Sequence, residues 1–211
     1  MNTNLSEIIF ILDRSGSMEG LEDDTIGGYN SFLKKQREAP GDAQITTVLF
    51  DDQYELLHDG INIQRVKPIT GNEYFTRGST AMLDAIGKTI RAVGRRLSLT
   101  KTEERPGQVI FVITTDGMEN SSREFSHEMI RNMIKHQREK YSWEFIFLGA
   151  NIDAEAAAEE IGISSKFAAG YRADELGTHN MFCTIASSVE SFRECRELPD
   201  DWKDLLLDGQ E

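Results

Sequence analysis

Asp13, Ser15 and Ser17 stand two residues apart, directly after the apolar run Ile8-Ile9-Phe10-Ile11-Leu12. With that spacing an extended turn can aim one carboxylate and two hydroxyls at a common point. Gly16, between the serines, lets the backbone bend without a Cβ penalty. An acid and neutral oxygens converging on one point suit a hard divalent cation such as Mg2+. The same residue types also cap helices by accepting from free N–H groups, so this run alone admits both readings.

The rest of the chain bears on the choice. Gln108 to Thr115 is a second fully apolar run of strand length, and it too ends in an acid, Asp116, followed by Gly117. Runs of this kind read as strands covered on both faces. Between them, Met82, Leu83, Ile86, Ile90, Val93 and Leu97 repeat every three or four residues and predict a helix with one core face. That helix opens just after Ser79-Thr80, which places a hydroxyl in the loop or at the cap. In an open parallel sheet, ligands sit beyond the carboxyl ends of the strands where the strand order reverses. If the strands ending in Asp13 and Asp116 are neighbours, both carboxylates meet Ser15, Ser17 and Thr80 at one crevice. Two carboxylates with no nearby base are costly to bring together unless a cation sits between them.

Other segments fill in the architecture. A helix is predicted from the acids Glu22-Asp23-Asp24 to Pro40-Gly41, with the acids favoured by the helix dipole rather than forming a second metal site. Ala43 to Phe50 reads as a strand, and Tyr54 to His58 as its antiparallel hairpin partner, turning at His58-Asp59-Gly60. Residues 61–76 are irregular and read as a long loop or short strand, and 101–107 form a charged loop. Further along come a helix over 124–141, a strand over 143–148, a short helix capped by Asp153 and ended at Gly162, a short strand over 166–169 and a helix over 177–192. Alternating buried strands and amphipathic helices predict one α/β domain, a Rossmann-like three-layer sandwich with a mainly parallel sheet and one antiparallel edge strand. The domain is expected over residues 1–199. An acidic tail over 200–211 carries Trp202, Leu205 and Leu206, which are expected to pack on the domain's own surface.

The chain has 211 residues and a formal net charge of −13. Such a surface repels phosphate backbones, so nucleic acid is not an expected partner. No apolar stretch approaches membrane-spanning length, and the first residues lack the basic start of a secretory signal. Cys183 and Cys195 have no CxxC spacing and read as ordinary thiols. Cytoplasmic location is the expectation.

Asp13-Arg14-Ser15-Gly16-Ser17 resembles the DxSxS motif of the von Willebrand factor type A (VWA) domain. Thr80 in Gly78-Ser79-Thr80 and Asp116 in Thr115-Asp116-Gly117 stand where that family has its other two metal-site residues. The resemblance spans nearly the whole chain and implies a metal-ion-dependent adhesion site (MIDAS). There Ser15, Ser17 and Thr80 would offer hydroxyls directly to Mg2+, with Mn2+ or Ca2+ as alternatives. Asp13 and Asp116 would act largely through water or by holding the hydroxyls. The implied function is non-catalytic: a partner protein's Asp or Glu completes the metal's shell. Cytosolic members of the family often belong to bacterial or phage-type systems, and Arg14 suits the bacterial form of the motif. Such members work beside ATPases, kinases or phosphatases.

Two other functions compete. A Mg2+-dependent hydrolase or phosphatase needs a base or nucleophile within reach, and Glu119 is the one obvious candidate near Asp116. His127 belongs to the helix that follows, and Gly87-Lys88-Thr89 lies within a helix without the upstream glycine of a phosphate loop. A scaffold domain with an incidental metal site is the third reading.

Overall fold

The computed structural model describes residues 1–207. The last four positions of the predicted tail, 208–211, lie outside them. Six strands form one sheet: β1 (Asn2–Asp13), β2 (Asp42–Phe50), β3 (Tyr54–Asn62), β4 (Pro106–Thr115), β5 (Glu144–Ala150) and β6 (Ala168–Tyr171). Their order is β3-β2-β1-β4-β5-β6, with every neighbouring pair parallel except β2 and β3. The sheet therefore reverses direction of growth between β1 and β4, the strands that end in Asp13 and just before Asp116.

Side chains alternate between the sheet's faces, as strand geometry requires. Ile8, Phe10, Leu12, Ile110 and Val112 enter one core layer; Ile9, Ile11, Phe111 and Ile113 enter the other. Helices α1 (Glu22–Glu38) and α5 (Glu175–Cys195) cover the first layer. Helices α2 (Met82–Leu99), α3 (His127–Tyr141) and α4 (Ala154–Glu160) cover the second. This is the expected Rossmann-like sandwich with one antiparallel edge. The packing of α1 against α5 is close enough that a Cβ on Gly28 would lie 2.1 Å from the Phe182 ring.

Several boundaries differ from the sequence reading, three of them for a clear local reason. The turn at His58-Asp59-Gly60 is instead a continuation of β3. Register shifts in its pairing with β2 absorb Gly60, at φ +60°, and its amide donates to Thr46 Oγ1 (3.0 Å), which keeps the ladder joined across the irregularity. Helix α3 begins at His127 rather than Glu124, because the amides of Arg123, Glu124 and Phe125 all donate to the Asp84 carboxylate (2.9–3.0 Å). Ser126 then caps the helix. The strand β6 begins at Ala168, since Ser165–Phe167 forms a single 3-10 turn.

The chain after α5 folds back onto the α1/α5 layer. Trp202 and Leu206 are buried in that core, Trp202 Nε1 donates to Lys166 O (3.0 Å), and a short helix α6 (Asp204–Leu207) follows. Leu205 remains exposed. Cys183 and Cys195 are both free thiols. Among the described residues no helix is long and apolar enough to cross a membrane.

Candidate functional site

Strand β1 delivers Asp13 to its carboxyl end, nearly fully buried. One Asp13 oxygen accepts from the Ser15 amide (2.7 Å) and the other from the Thr115 hydroxyl (2.6 Å), the last residue of β4. Tyr74 donates its hydroxyl to the Asp13 carbonyl (2.6 Å), fixing the strand end from the long loop. These contacts hold the carboxylate still and turn the backbone so that Ser15 and Ser17 follow on the same side. Their hydroxyl oxygens are 3.1 Å apart, and Ser17 donates to Asp116 Oδ1 at 2.5 Å. Four of the five predicted residues, from two strand ends, thus form one hydrogen-bonded group.

Thr80 arrives by a different route. Gly78 adopts φ +67°, a conformation open mainly to glycine, and its carbonyl accepts from the Gly16 amide (3.1 Å). That bond ties the Thr80 loop to the turn carrying the serines. Thr80 is then locked to the loop after β4 by reciprocal bonds: its amide donates to Asn120 Oδ1 (3.0 Å), and its carbonyl accepts from the Asn120 amide (3.1 Å). A Cβ placed on Gly117 would lie 3.2 Å from Ser17 Oγ and 3.8 Å from Thr80 Oγ1. Both hydroxyls therefore face the small space that this glycine leaves.

The electrostatics of this group are unbalanced. Burial pushes the Asp13 carboxyl up to about 6, even though the hydrogen bonds from Thr115 and Ser15 pull the other way, and the charge of Asp116 adds to the rise. Asp116 is raised for the same leading reason, partly offset by Ser17. Among the described residues neither carboxylate forms an ion pair with a Lys or Arg. Asp116 Oδ2 is buried without a hydrogen-bond partner among the described residues, a situation that folded proteins avoid unless something else meets the oxygen. Two buried acids, an orphaned carboxylate oxygen and clustered neutral hydroxyls fit a divalent cation by the chemistry of the donor set. Among the described residues no group of three His, Cys, Asp or Glu side chains could hold a metal; this group is of another make, with two carboxylates and three hydroxyls.

Several further residues support this group. Arg14, inside the DxSxS run, is fully buried: its Nε donates to Asp51 Oδ2 (2.8 Å) and its Nη1 pairs with Glu55 (2.8 Å). Arg77 donates to the same Asp51 oxygen (2.8 Å), and the Ala81 amide to the Asp51 carbonyl (2.9 Å). Asp51 at the end of β2 thus clamps the serine turn to the Thr80 loop. Glu119, the candidate base, accepts from the amides of Leu83, Ser121 and Ser122 and from the Ser122 hydroxyl (2.7–2.9 Å). It caps α2 and shapes the loop. His127 sits in the first turn of α3, 3.5 Å from Glu160.

The sequence matches no protein-family profile and no curated protein. Solved structures do resemble it. Proximal thread matrix protein 1 of the mussel byssus, a structure described as having a zinc-occupied MIDAS motif, aligns with a TM-score of 0.60 at 15% identity, covering 88% of this chain and 46% of that one. The fold is that of a von Willebrand factor type A domain. A manganese-loaded TRAP protein of Plasmodium vivax aligns at a TM-score of 0.54 and 14% identity, over 77% of this chain and 62% of that one. The VWA2 protein of Sulfolobus acidocaldarius aligns at 0.51 and 17%, over 89% and 45%. This VWA-fold chain thus spans about half the length of the byssus and archaeal proteins. At such identities the likeness concerns the fold.

Proposed function

We propose that this VWA-fold chain is a metal-dependent protein-binding module in which Asp13, Ser15, Ser17, Thr80 and Asp116 form a complete MIDAS for Mg2+. The observation that carries this reading is Asp116 Oδ2, buried and without a hydrogen-bond partner among the described residues, beside a second buried acid, neither of them ion-paired there to a Lys or Arg. Ser15, Ser17 and Thr80 would present neutral hydroxyl oxygens, while Asp13 orients the turn through the Ser15 amide and Asp116 orients Ser17. When bound, a divalent cation would supply an electrophilic position for a carboxylate from outside, because neutral ligands leave much of its charge uncompensated. The partner is accordingly a protein offering an Asp or Glu, working in a bacterial or phage-type cytosolic system with an ATPase, kinase or phosphatase.

We propose a binder rather than a catalyst. A hydrolase at this site needs a free base, and the Glu119 carboxylate is already committed to four donors. The test is retention of a native partner on the immobilised chain in Mg2+. Release by a chelator, loss with Asp13→Ala, and loss when one partner Asp or Glu is changed to its amide would support the reading. Retention unchanged by chelator would overturn it.

A further inference from the structure

A cavity of about 480 Å3 opens at the far end of the sheet from Asp13, between the start of β4 and the C-terminal ends of α2 and α3. Its volume lies within the range of small-molecule sites. Leu97, Val109 and the buried Trp143 give it an apolar floor, and Arg105, Lys140 and Arg196 stand around it. No Asp or Glu lines it, although acids outnumber bases by 36 to 23 in the chain.

None of the three cations forms an ion pair among the described residues. Arg105 donates to Thr100 O (2.8 Å) and Ser98 O (3.1 Å) at the end of α2, Lys140 lies over the Tyr141 ring, and Arg196 is the exposed left-handed cap of α5. Each sits at a helix C-terminus, whose dipole amounts to roughly half a negative charge. Three full positive charges against three such halves leave a clear positive excess over an apolar floor. The indole N–H of Trp143 adds a donor with no acceptor among the described residues.

We infer that this cavity binds a small aromatic anion: the ring lies on the Leu97, Val109 and Trp143 floor, and a phosphate or carboxylate head meets Arg105, Lys140 and Arg196. The inference is independent of the metal reading, since no residue is shared.

The probe is phenyl phosphate, added to the full 15N-labelled chain and followed by the two tryptophan indole resonances. Trp202, bonded to Lys166 on the other core layer, is the internal control. Phenyl phosphate should shift the Trp143 signal saturably, with a Kd of about 1 mM or tighter for a ligand of this size, and leave Trp202 unmoved. Benzyl alcohol, lacking the charge, and inorganic phosphate, lacking the ring, should each bind at least about tenfold more weakly. The exposed pair Lys140→Glu and Arg196→Glu should weaken phenyl phosphate by about tenfold or more. Equal affinity for benzyl alcohol, equal affinity for inorganic phosphate, indifference to the charge reversals, or no Trp143 shift at about 10 mM would each overturn the inference.

Discussion

Replacing Asp13 by Asn should stabilise the metal-free protein at neutral pH and do so less and less as the pH falls. Burial holds the Asp13 proton up to about pH 6, against an ordinary value of 3.8. Between those values the folded chain binds more proton than the unfolded one, so stability falls as pH rises through the window. Below about pH 4 both states are protonated and the penalty is absent; above about pH 6 it is fully present. A gap of about two units, at 1.36 kcal/mol each, comes to about 3 kcal/mol. Asn keeps an acceptor for the Ser15 amide, and Thr115 can reverse its hydroxyl, so the remaining difference is independent of pH. Urea unfolding of both proteins in chelator, at steps from pH 4.5 to 7.5, isolates the effect, because titrations remote from Asp13 and Asp116 cancel in the comparison. The Asn variant should gain about 2 kcal/mol on the native chain across that range. A difference that stays flat, or that grows in favour of the native chain at higher pH, would refute the assignment of an uncompensated buried charge.

Other consequences are checked by simpler means. Trp202→Ala should cost about 3 kcal/mol in chemical denaturation, since it empties a buried site and strips Lys166 O of its donor; a loss below about 0.5 kcal/mol would show that the tail does not stabilise the domain. Glu119→Ala should lower stability by about 1–3 kcal/mol by stranding three amides and the α2 start, whereas an unchanged midpoint would free Glu119 for another role. Gly28→Ala should lower the melting temperature by several degrees, since the new Cβ meets Phe182, and an unchanged Tm would mean that α1 and α5 separate freely.

The sheet and helix layers were legible because their signals are periodic and redundant. Two apolar strands ending in acids, with amphipathic helices between, leave few topologies. The antiparallel edge was legible from the short gap between Phe50 and Tyr54, but its length was not, because a bulge at Gly60 keeps pairing where turn residues suggest a stop. The start of α3 was hidden for a similar reason: Asp84, forty residues upstream, captures the amides that would have begun it. The five candidate site residues stood out by type and spacing. The residues that hold them did not, since Tyr74, Asn120 and Asp51 act through long-range hydrogen bonds that leave no pattern in the chain. Arg14 was visible as a motif position, yet its burial between Asp51 and Glu55 follows only from how β2 and β3 lie beside β1.

The central claim is that five side chains from three loops share one divalent cation. Calorimetric titration of Mg2+ and Mn2+ into the metal-free chain tests it most directly, with the native sequence beside Ser17→Ala, Thr80→Ala and Asp116→Ala. The account predicts one saturable site in the native chain, weakened more than about a hundredfold by Asp116→Ala and at least tenfold by either hydroxyl deletion, with each variant still folded by circular dichroism. Absence of a saturable site in the native chain, or binding that survives Asp116→Ala undiminished, would contradict it.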